Sequence, residues 1–130
     1  MEKKVTSIKQ IIYNKEWLED WLSTATYQNP WFAFGTHKDT NDEVYAMAKQ
    51  FNDCREGIWA FVLLHGGKFL VEDCEEEKDY CITMTEVEKG FKIFMLNYPQ
   101  QYAALMTEDG DLYDADALMQ CIVFGEVVYG

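Results

Sequence analysis

The longest uninterrupted apolar run, Ile58–Leu64, constrains this chain most, because its seven residues fit no element that keeps one face in water. It must lie where neighbours cover it on all sides, and it is far shorter than the roughly 20 residues that cross a bilayer. Gly57 precedes the run, and Gly66-Gly67 follows it after His65. IWAFVLLH therefore reads as a central strand covered on both faces. Two glycines between extended runs can take the positive φ values of a tight hairpin turn, so KFLVEDC is expected to return antiparallel. EEEKD makes the next turn, and YCITM is the third strand of a meander.

Helical spacing dominates elsewhere. Ser7 can cap a short turn containing Ile8, Ile11 and Ile12, and Asn14 restarts the chain as KEWLEDWLSTAT. Trp17, Leu18, Trp21, Leu22 and Ala25 share one face of that helix. Asn29-Pro30 ends it, since the residue before proline avoids helical angles, and WFAFGTH reads as a strand. Thr40 and Glu43 have capping-box spacing ahead of a helix reaching about Asn52, with Val44, Met47, Ala48 and Phe51 as its buried stripe. Thr85 and Glu88 repeat the box before a helix burying Val87, Phe91, Phe94 and Met95. Pro99 opens a short helix, PQQYAALM. The last helix, Leu112 to Phe124, buries Ala115, Leu118, Met119 and Ile122 and stops at Gly125. The tail EVVYG is a short strand or a docked arm. The fold class is α+β in one domain, residues 1–130: a three- to four-stranded, mostly antiparallel sheet with four to five helices packed against it.

Charge limits the partners. Residues 1–65 carry seven Lys or Arg and nine Asp or Glu, net −2, whereas residues 66–130 carry four and fourteen, net −10. Such a surface repels nucleic acid and anionic lipid, so neither is expected to bind directly, and a basic protein is favoured instead. The N-terminus lacks a signal-like apolar stretch, which makes the cytoplasm the expected compartment. Cys54, Cys74, Cys81 and Cys121 stand 20, 7 and 40 residues apart, without the close pairs of a zinc or redox site. They are read as reduced and mostly buried thiols. Trp17, Trp21, Trp31 and Trp59 fall on faces expected to be buried.

Two acidic clusters are the candidate partner-binding residues: Glu72, Asp73, Glu75, Glu76, Glu77 and Asp79 around the hairpin turn, and Glu108, Asp109, Asp111, Asp114 and Asp116 before the last helix. The second superficially resembles a calcium loop, but a glycine lies between its first two aspartates and no glutamate stands at the twelfth position. Aspartates there also cap free N–H groups and favour the positive end of the helix dipole. His65-Gly66-Gly67-Lys68 is no phosphate cradle if a strand follows the glycines. Cys54 with His37 or His65 shows no signature of an activated thiolate, and no hydrolase, kinase or nucleotide motif is present. No catalytic residue, cofactor or metal is assigned.

In composition the chain is similar to the inhibitors of phages and mobile elements that imitate DNA, such as anti-restriction proteins: small, acidic, aromatic-rich and without catalytic motifs. The resemblance implies a non-enzymatic binding module whose carboxylates occupy sites built for phosphates on a basic, nucleic-acid-binding protein. Two alternatives stay open. One is a dimeric accessory protein whose acidity serves solubility; the other is a metal-binding or hydrolytic protein using Asp109–Asp116.

Overall fold

In a computed structural model of the chain, residues 8–27, 31–35, 42–107 and 111–129 are described. Seven helices and three strands are assigned among them, in the order α1 (Ile8–Ile12), α2 (Lys15–Thr26), β1 (Phe32–Gly35), α3 (Asp42–Phe51), α4 (Arg55–Leu64), β2 (Phe69–Asp73), β3 (Lys78–Ile82), α5 (Met84–Asn97), α6 (Pro99–Met106) and α7 (Leu112–Phe124). The sheet is antiparallel, ordered β1-β2-β3. Its register runs from Phe32↔Asp73 to Gly35↔Leu70 on one side and from Phe69↔Ile82 to Asp73↔Lys78 on the other. The α+β class holds, with more helices than the four to five expected.

The main correction falls on IWAFVLLH, which is helix α4 rather than a central strand. A run that is apolar at every position has no period to read, and helix or strand is then decided by what caps it. Here the Cys54 sulfur accepts the Gly57 N–H at 3.3 Å at the start. At the end Gly67 N–H reaches back to the Val62 carbonyl at 2.8 Å and Gly66 N–H to Leu63 at 3.3 Å, the paired bonds of a Schellman stop. Gly66 takes φ +78, so the positive angle is used to end a helix and not to turn a hairpin. β1 takes the place in the sheet that the sequence reading gave to this run.

Smaller shifts have equally local causes. Helix α5 is capped by Thr83, two residues earlier than the expected box of Thr85 and Glu88. The Thr83 hydroxyl donates to the Glu86 carboxylate at 3.1 Å and accepts the Thr85 N–H at 3.2 Å. This start adds Met84 to the buried stripe Val87, Phe91 and Phe94. On α3, Ala48 is buried and Val44 half-buried, but Met47 and Phe51 are exposed. That helix lies at the periphery against α4, and Phe51 stacks on Phe61 from outside, ring centroids 6.4 Å apart. Thr40 lies outside the described residues, as does Asn29-Pro30.

The frame is a helical layer. α2, α5 and α7 bury Leu18, Leu22, Phe91, Phe94, Leu118 and Met119 completely or nearly so, each worth roughly 1.5–3 kcal/mol of transfer free energy. Gly90 lets α5 and α7 meet closely, because a Cβ there would collide with Ile122. The stripes read for α2 and α7 are buried except for Trp17. Of the tryptophans, Trp21, Trp31 and Trp59 are buried, whereas Trp17 is half-buried and stacks on Trp21.

Candidate partner-binding surface

The first acidic cluster wraps the β2–β3 hairpin. Alternation along β2 turns Phe69, Val71 and Asp73 inward and leaves Glu72 outward. Glu72, Glu75, Glu76, Glu77 and Asp79 are exposed, and among the described residues none of them makes an ion pair. Lys78 instead lies over the Tyr80 ring, 5.5 Å from its centroid. Glu72 and Asp79 are direct cross-strand partners. Like charges opposite one another destabilise a ladder by roughly 0.2–1 kcal/mol, so the hairpin concentrates negative charge at a cost to its own stability.

Asp73 departs from this set. It is 1% exposed, and its carboxylate accepts the N–H of Glu75 at 3.0 Å, the N–H of Glu76 at 3.4 Å and the Tyr129 hydroxyl at 2.9 Å. It therefore shapes the turn from within, and it cannot touch a partner. Glu77 at φ 54 completes the turn in a left-handed conformation.

The second cluster divides in the same way. Asp111 caps α7, accepting the N–H groups of Tyr113 at 3.0 Å and Asp114 at 3.1 Å, while Asp114 accepts the Asp111 N–H at 3.1 Å. This reciprocal box is the helix-start role considered for these aspartates. Asp116 faces the protein: it accepts the Trp31 indole N–H at 2.5 Å and the Gln120 amide at 2.7 Å. Glu108 and Asp109 lie outside the described residues. Among the described residues no three His, Cys, Asp or Glu side chains converge as a group that could hold a metal ion, and no helix is long and apolar enough to cross a membrane.

A chain of hydrogen bonds joins the two clusters, and composition gave no hint of it. The buried Gln120 side chain donates to Asp116 and to the Tyr129 carbonyl, and its oxygen accepts the N–H groups of Val128 and Tyr129, both at 2.7 Å. Tyr129 reaches Asp73, and the Cys74 N–H returns to the Trp31 carbonyl at 2.7 Å. Hairpin, Trp31, α7 and C-terminal tail thus close into one polar clasp, with the tail docked as an arm. The Tyr129 hydroxyl is pushed up to about 12, first by partial burial and then by its bond to Asp73 and the charges of Asp73, Glu76 and Glu75. The one sequence signal was Gln120 itself, a lone amide inside the apolar stretch LMQCIVF, because a buried polar group must find partners.

The histidines and cysteines are placed differently from expectation. Cys54 starts α4 and His65 ends it, so about 15 Å of helix separates them and they form no pair. His65 stacks on Phe61 at 3.9 Å, and His37 lies outside the described residues. All four cysteines are free, yet Cys54, Cys74 and Cys81 are exposed and only Cys121 is buried, against the expectation of mostly buried thiols. Burial pushes the Cys121 thiol up to about 12. Partial desolvation and then the Glu72 and Asp73 charges raise Cys74; desolvation raises Cys81. A neutral alkylating reagent at pH 8 should therefore modify the exposed Cys54, Cys74 and Cys81 in the native protein and Cys121 only after unfolding. Mass spectrometry that finds Cys121 modified along with the others in the native protein would contradict this packing. The chain matches no known protein-family model, no curated protein and no solved structure.

Proposed function

We propose that this chain is a non-enzymatic binding module that engages a basic protein through the β2–β3 hairpin, its carboxylates standing in for nucleic-acid phosphates. The observation that carries the reading is the exposed, unpaired set Glu72, Glu75, Glu76, Glu77 and Asp79, held on a turn whose interior is fixed by Asp73 and Tyr129. Negative groups on a stiff support keep their geometry on binding, so less ordering entropy is lost when lysines or arginines close on them. The surrounding excess of acid steers a cationic partner from a distance and speeds association. Asp73 and Asp116 take no part in the contact; they hold the frame. Asp111 and Asp114 extend the field from the start of α7.

The test separates local placement from total charge. Two variants change net charge equally: Glu75→Lys/Glu76→Lys/Glu77→Lys in the hairpin, and Glu16→Lys/Asp53→Lys/Glu126→Lys at exposed positions elsewhere. The readout is competition with duplex DNA for a non-specific DNA-binding protein at several salt concentrations. The unaltered chain should compete with an affinity that falls steeply with salt. The hairpin variant should lose about tenfold or more, equivalent to about 1.4 kcal/mol, and the other variant much less. Equal losses would reduce the effect to overall charge and end the site reading.

A further inference from the structure

We infer that a groove along α2, separate from the acidic hairpin, takes a basic amphipathic helix from a partner protein. The groove lies between α1, α2 and α6 and holds about 450 Å³; Ile11, Trp17, Trp21, Leu105 and Met106 give it apolar walls, and among the described lining residues Asp20 is the one ionised group. A second hollow of about 290 Å³ continues it past Thr24 to Tyr27 and Leu112. Thr24 belongs to both, so one trough follows the helix from Asn14 to Tyr27.

Three observations select the occupant. The first is size: the α2 stripe covers 13 rises, about 20 Å, and fits a helix of about 14 residues. The second is apolarity, since the half-buried Trp17, stacked on the buried Trp21 with centroids 6.0 Å apart, and the exposed Tyr27 and Leu112 offer apolar anchor surfaces. The third is charge. Among the described lining residues there is no Lys or Arg; Asp20 lies beside Trp17, and Asp111 precedes Leu112 at the far end. A carboxylate next to an indole suits a lysine or arginine, which gains from both, and an acidic helix would meet like charge at Asp20. This inference does not rest on the hairpin reading, for the trough shares no element with β2 or β3.

The probe is a labelled 14-residue peptide of leucine and lysine with leucines at helical i, i+3, i+4 spacing. It is compared by fluorescence anisotropy with a peptide of the same composition in scrambled order and with one carrying glutamate for lysine. The patterned basic peptide should bind at least roughly tenfold more tightly than either control and should alter tryptophan emission. Asp20→Lys, at an exposed position that leaves the fold intact, should weaken it about tenfold, as should Leu105→Glu, whereas Glu75→Lys/Glu76→Lys/Glu77→Lys should change it less than about threefold. Equal binding of the scrambled peptide, no measurable binding, or a hairpin variant that loses as much as Asp20→Lys would each overturn the proposal.

Discussion

Replacing Gly90 with alanine is expected to destabilise the fold by about 3 kcal/mol, the upper part of the range for overpacking a tight core. The direction is the reverse of the ordinary one, because alanine in place of glycine inside a helix normally gains about 0.5–1 kcal/mol. Here the added methyl would land on Ile122 Cα and Cγ1 and 2.6 Å from its backbone nitrogen. Backbone cannot swing aside as a side-chain tip can. Nor can the helices part cheaply, since Val87, Phe91 and Phe94 on α5 and Leu118, Met119 and Ile122 on α7 are all buried. The loss corresponds to a melting point lower by about 10 °C for a domain of this size. Gly66 is the internal control. Its surroundings are open but its φ is +78, so Gly66→Ala should cost only the left-handed penalty, about 1–2 kcal/mol. Urea unfolding of the two variants tests the ordering. A Gly90→Ala protein as stable as the parent would mean that α5 and α7 do not cross here, and the frame beneath the hairpin would have to be redrawn.

That crossing also marks how far the sequence could be read. The stripes of α2, α5 and α7 were legible because each follows a 3.6-residue period, although the cap of α5 is Thr83 and not the expected Thr85, and Met95 is only half-buried. Ile58–Leu64 carried no period, and its true stop signal, Gly66-Gly67, is equally the signal of a hairpin. Reading it as a strand displaced β1 from the sheet, an error that grew from one ambiguous dipeptide. The acidic surface was half legible. Glu75, Glu76 and Glu77 are as exposed as their composition suggests. Asp73 and Asp116 look identical to them in sequence, yet their partners Tyr129 and Trp31 lie 56 and 85 positions away. No local pattern encodes such a pairing. What makes these two aspartates structural is tertiary placement alone.

Asp73 is therefore the residue whose loss should separate structure from recognition most clearly. Asp73→Ala is expected to cost about 3 kcal/mol, because bonds to a charged acceptor contribute roughly 1.5–3 kcal/mol and the donors left behind are unsatisfied. Those donors are the Glu75 and Glu76 N–H groups and the Tyr129 hydroxyl. Tyr129→Phe should cost less, and once Asp73 is gone it should cost nothing: the double variant unfolds at the same denaturant concentration as Asp73→Ala. A second signature lies in alkali. The Tyr129 hydroxyl is raised from 10.0 to about 12, so the folded state holds its proton more tightly than the unfolded chain. The resulting stabilisation is complete below pH 10 and is lost as pH rises from 10 towards 12, and Tyr129→Phe should remove that part of the slope. The variant also bears on recognition, since it leaves net charge at neutral pH unchanged while loosening the Asp73 carboxylate that holds the turn carrying Glu75 and Glu76. If the hairpin binds as a rigid array, Tyr129→Phe should weaken competition with DNA through faster dissociation while leaving the salt dependence of association intact. An unaltered dissociation rate, measured alongside a proven loss of the alkaline slope, would mean that charge without fixed geometry suffices.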